Sequence, residues 1–92
     1  MNASEAEATA LKCLTWLIAH EDLRDVFMGA TGLGEDDLRA RYGEPEFLGA
    51  VLDFLLMDDN WVMQCCDAQG LPYEAIASAR AGLPGGQEVS WT

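Results

Sequence analysis

Basic residues are scarce in this chain: one Lys and four Arg stand against sixteen Asp and Glu, for a formal net charge of -11 over 92 residues. Binding to nucleic acid by counterion release needs clustered cations, and an anionic membrane surface repels an acidic field, so both partner classes are opposed. Long apolar runs are missing too, which leaves no segment to span a bilayer. The first residues, MNASEAEATA, lack the basic start of a secretory signal. Three Cys, an odd number, do not form a disulfide framework, and a reducing cytoplasm is the expected location.

Apolar residues, by contrast, are plentiful. They make up 50% of the chain, enough for a real core, and the length suits one domain. Strand-like alternation is nearly absent and helix punctuation is frequent. The expected fold is all-α, a compact cluster of five to six short helices with helix-turn-helix-like corners. A single helical domain is expected over 1–83, followed by a Gly-rich, flexible tail over 84–92 that Trp91 could dock.

Ser4 and Glu7 have capping-box spacing and predict the start of a first helix running to about His20. Its inner face carries Ala10, Leu14, Leu17 and Ile18, with Leu11 at the edge. Asp22 is expected to cap a second helix with Leu23, Val26 and Phe27 inside, stopped by a left-handed Gly32. Glu35, Asp36 and Asp37 open a third helix, where the helix dipole favours acids, with Leu38 and Tyr42 inward and Gly43 at its end. Pro45 suits the first position of a fourth helix. Its apolar residues, Phe47 to Leu56, cover more than half of the circumference, so it is expected at the centre of the core. Asp58 or Asp59 caps a fifth helix, with Trp61, Val62, Cys65 and Ala68 inward and Gly70 as its stop. A sixth helix follows with Ile76, Ala79 and Leu83 inside. TGLGEDDL and QGLPYEAI share a Gly-Leu step ahead of an apolar Leu38 or Ile76, which reads as one helix corner used twice.

Catalytic chemistry finds little support. His20 stands near a helix C-terminus, where a cap is its simplest role. Cys13 is seven residues away, about two helical turns, so the two cannot form a dyad. Cys65 and Cys66 are adjacent, without the spacing of a metal-ligand pair, and read as core packing. The runs Glu35-Asp36-Asp37 and Asp58-Asp59-Asn60 do not alternate as calcium ligands do and are read as helix caps. No catalytic, cofactor-binding or metal residue is assigned. A recognition helix after Gly32 would lead with acids against phosphate, and the one after Gly70 carries a single base, Arg80.

The pieces TGLGEDDLRAR, EPEFLGAVLDFLLMDD and GLPYEAIASARAGLPGG, with LKCLTWLIAHED matching more loosely, resemble small alphaproteobacterial helical proteins catalogued only as a domain of unknown function. That resemblance implies a compact helical domain from a bacterial cytoplasm and carries over no functional residue. What is left is a protein-binding surface. Trp16 projects away from the face of Ala10 and Leu14, as an interface anchor would; Met57 and Met63 project similarly but read as ordinary packing. The expected function is a non-enzymatic protein-interaction or regulatory domain with a protein partner or with itself. The alternative is a nucleic-acid-related protein, helix-turn-helix-derived or an acidic mimic of DNA.

Overall fold

Six helices appear in the order the punctuation suggests. The computed structural model describes residues 1–84, and α1 spans Ala3–Ala19, α2 Glu21–Thr31, α3 Glu35–Arg41, α4 Pro45–Leu55, α5 Asp59–Gln69 and α6 Ala75–Ala81. No strand occurs among the described residues, and the fold is all-α. No helix is long and apolar enough to cross a membrane. Trp91 and nearly all of the Gly-rich tail lie outside the described residues.

Local chemistry explains most of the boundaries. Pro45 occupies the start of α4, where its missing N–H costs nothing. The Asp58 carboxylate accepts from the Asn60 N–H at 2.8 Å and caps α5. Gly32 and Gly70 end α2 and α5 with φ of 74° and 69°, a left-handed turn that a β-carbon would strain. The following Leu33 and Leu71 each pack against the core, so the repeated Gly-Leu step is a repeated corner.

Two caps differ from the sequence reading. The capping box of α1 is Asn2 with Glu5, not Ser4 with Glu7: the Glu5 N–H donates to Asn2 Oδ1 at 2.8 Å, and the Asn2 N–H donates to Glu5 Oε1 at 3.2 Å. Both pairs have the same spacing, and the earlier one adds two residues of helix. Asp22 lies within the first turn of α2, whose cap is His20 without a side-chain hydrogen bond. The chain turns so sharply after α1 that one residue ends one helix and starts the next.

The centre of the core also differs. α4 buries Phe47, Leu48, Val51, Leu52, Phe54 and Leu55 as its apolar pattern requires. Yet α1 is the helix that packs on α2, α4, α5 and α6, while α4 packs on α1, α5 and α6. Length accounts for this, because the 17 residues of α1 reach across the whole domain. Ala6, Ala10 and Cys13 are fully buried along it. Phe27 of α2 meets Phe47 and Phe54 edge-on, with ring centroids 6.3 and 5.1 Å apart, and Phe54 stacks on Trp61 at 4.8 Å.

Four residues expected inside are at the surface: Ile18, Val26, Tyr42 and Ala68. Ile18 and Val26 lie at the edges of their apolar stripes, and Tyr42 follows a helix that buries only Leu38. Gly49, on the strip of α4 outside its apolar residues, is buried as well, and Cys66 is buried beside Cys65, as core packing requires. The Arg80 side chain covers Gly49 and forms an ion pair with Asp53 at 2.6 Å while donating to the Pro84 carbonyl at 2.9 Å.

Candidate functional site

α2 is a short helix flanked by open space on two sides. On one side it faces the start of α5 across a groove of about 440 Å³, lined by His20, Asp22, Leu23, Val26, Asp58, Asn60, Trp61 and Gln64. The floor is apolar: Leu23 is buried, Trp61 is half-buried on Phe54, and Val26 is 51% exposed. The rim is acidic. Asp22, in the first turn of α2, and Asp58, the cap of α5, line it, and Glu21 and Asp59 adjoin them in the chain.

Helix polarity works against those acids but does not cancel them. Each helix start carries about half a positive charge, so two starts contribute about +1 against four carboxylates. The rim is therefore net negative, and the protein's overall charge has the same sign. None of these four carboxylates is in an ion pair among the described residues.

Trp16 sits beside this groove. Its ring lies 5.4 Å from that of His20, tilted by 49°, and the side chain is half-buried against the core. The residue singled out from the sequence thus leads to the groove through His20. Trp61 and Val26, which form the floor, escaped sequence reasoning because both lie near the apolar stripes of their helices.

The second opening lies between α1, α2 and α3. Two adjoining hollows of about 240 and 220 Å³ share Ile18, Leu38 and Arg39; Arg24, Met28 and Glu35 complete one, and Tyr42 completes the other. Here the edge is basic. The Arg24 Nε is buried without a hydrogen-bond partner, and its nearest carboxylate oxygen, on Asp25, is 3.9 Å away.

The thiols form a separate cluster. Cys13 of α1 and Cys65 and Cys66 of α5 are free and fully buried. A shared hydrogen bond with Cys65, then burial, pushes the Cys13 thiol far above its ordinary range. Burial, with Cys65, Asp67 and Glu74 nearby, pushes Cys66 up as well. The same hydrogen bond, to Cys13, lowers Cys65 against the effect of its burial; thiols kept neutral, as Cys13 and Cys66 are, are poor nucleophiles and poor metal ligands. Their adjacency across two helices could not be read from the sequence, which placed only Cys65 and Cys66 side by side. His20 lies against Trp16, away from this cluster's chemistry. Among the described residues no group of three His, Cys, Asp or Glu is arranged to hold a metal ion.

A family model matches residues 3–86, nearly the whole domain. The chain belongs to the DUF3572 family, described as proteins of unknown function. The match covers all six helices and both glycine corners. No curated protein and no solved structure matches the chain.

Proposed function

We propose that this DUF3572 domain is a non-enzymatic protein-interaction module and that the groove between α2 and α5 is its docking surface. The observation that carries this reading is the apolar floor of Leu23, Val26 and Trp61 left open under an acidic rim. Partner contacts concentrate in such places, where an aromatic anchor is ringed by polar groups. Trp16 supports the groove from the side through His20. A bacterial cytoplasm is the proposed setting, and the free thiols support it.

Affinity capture of the tagged protein from its own cell extract, with and without nuclease, tests the reading beside a Val26→Arg variant. Val26 is exposed, so arginine there fills the groove without disturbing the core. A stoichiometric protein partner that survives nuclease and is lost with Val26→Arg is the expected result. A partner that ignores Val26→Arg overturns the docking surface. Recovery that depends on nucleic acid overturns the module and favours the nucleic-acid-related alternative.

A further inference from the structure

The groove's own chemistry selects among protein partners. We propose that it takes an arginine side chain from a basic segment of the partner, the guanidinium lying over Trp61 between the carboxylates of Asp22 and Asp58. This rests on the docking reading above and deepens it.

Charge complementarity is the first argument. The two lining carboxylates, Asp22 and Asp58, exceed the two helix dipoles by about one charge, and Glu21 and Asp59 beside them in the chain add the same sign, so a cation is drawn in and an anion is repelled. The available oxygens are the second. Among the described residues Asp58 uses Oδ1 to cap Asn60 and leaves Oδ2 without a hydrogen bond, and the Asp22 carboxylate makes none. A planar guanidinium presents donors on two edges and can bond both carboxylates at once, which a lysine ammonium matches less well.

The floor is the third argument. Phe54 stacks on Trp61 with the planes 21° apart, which holds the indole in place. An indole is the best aromatic surface for a cation, and guanidinium stacks on it with little loss of hydration. Val26 and Leu23 beside it suit the three-carbon stem of arginine. The basic hollow beyond α2, with Arg24 and Arg39, offers the opposite charge and does not compete for this ligand.

The test uses the full chain and two synthetic peptides, acetyl-Gly-Arg-Gly-Arg-Gly-amide and its lysine counterpart. Binding is followed by two-dimensional NMR of backbone and indole N–H groups. The arginine peptide is expected to shift the Trp61 indole and the amides of the α2 and α5 starts, and the lysine peptide to bind several-fold more weakly. The double variant Asp22→Asn with Asp58→Asn is expected to weaken arginine binding by about tenfold. Asparagine caps a helix as well as aspartate, so the fold is retained, and the spectrum itself reports that. A control pair, Asp36→Asn with Glu46→Gln, removes the same charge away from the groove and is expected to change binding less than twofold or so.

Three results would overturn the proposal: no shift of the Trp61 indole, equal binding of both peptides, or equal weakening by the two variant pairs. The docking reading fails separately. If the captured partner is lost with Val26→Arg but the arginine peptide does not bind, only the identity of the occupant falls. If the peptide binds as expected and the partner ignores Val26→Arg, the guanidinium site stands and the docking reading falls.

Discussion

Small side chains close one half of this domain, and large ones leave the other half open. Where α1 and α6 meet, a β-carbon on Gly82 would come within 3.0 Å of both the Ala6 β-carbon and the Met1 carbonyl oxygen. Ala10, Val51 and Ala79 are fully buried nearby in α1, α4 and α6, and Arg80 closes over Gly49. Where α2, α3 and the start of α5 surface, by contrast, Val26 and Tyr42 stay more than half exposed beside grooves. Helices that touch through alanine and glycine exclude everything else. Helices separated by tryptophan, valine and tyrosine leave room for a ligand. Stability should therefore concentrate in the first half and recognition in the second.

The largest expected effect lies at the seam between the halves. Phe54→Ala removes the ring that joins Phe27 to Trp61 and is expected to cost about 3–5 kcal/mol in chemical denaturation. A near-wild-type midpoint would place the core elsewhere. Gly82→Ala drives a methyl group against backbone and is expected to cost about 1–3 kcal/mol. If that variant is neutral, the close approach of α1 and α6 is softer than the distances state.

Buried thiols give the closed half a pH signature. Cys13 and Cys66 have raised folded-state pKa values, so each stays protonated when its unfolded counterpart ionises near the ordinary value of 9.0. Above that pH the folded state binds more protons through these two thiols, and stability falls as pH rises, by at most about 1.4 kcal/mol per unit for each, while Cys65, lowered by its hydrogen bond to Cys13, has the opposite slope and only below 9.0. Below that pH the contribution of the two raised thiols is constant. Replacing Cys66 with alanine should make the alkaline fall shallower, which denaturation at several pH values would reveal; an unchanged slope would remove Cys66 as a source.

A smaller effect separates packing from helix propensity. Gly49→Ala gains up to about 1 kcal/mol of propensity but pushes Arg80 from Asp53 and Pro84, so the single variant should sit near neutral. In an Arg80→Ala background the gain should appear in full, a coupling of about 1 kcal/mol in a double-mutant cycle. Additive behaviour would mean that Arg80 moves aside freely. In the open half, Tyr42→Ser should change stability by less than about 0.5 kcal/mol. A larger loss would show that α3 depends on more than Leu38.

The legibility of the sequence follows the same division. Pro45, Asp58, Gly32 and Gly70 mark their helix ends through chemistry confined to a few neighbouring residues, and each performs the role its pattern implies. The Phe47–Leu56 run could only be buried. Stripe edges are less legible: Leu17 and Leu23 are buried while Ile18 and Val26 are exposed, and periodicity along one helix does not say which edge residue a neighbour covers. The thiol cluster and the Arg80 cover over Gly49 join residues from separate helices and had no local signal. For the candidate site, Trp16 reaches the groove only through its contact with His20. Trp61 and the two acidic helix starts became a groove only once α2 and α5 were placed together.

α2 is a partition with a chamber on each side: Leu23 and Val26 face one groove, Arg24 and Met28 the other. Its 11 residues run between the His20 and Gly32 turns, pinned to the core by Leu23 and Phe27, so the two chambers share one wall. Whatever shifts that wall to admit a ligand on the acidic side reshapes the basic side in the same movement. By linkage, the two chambers then alter each other's affinity by one common factor, so occupancy of either can be read at the other.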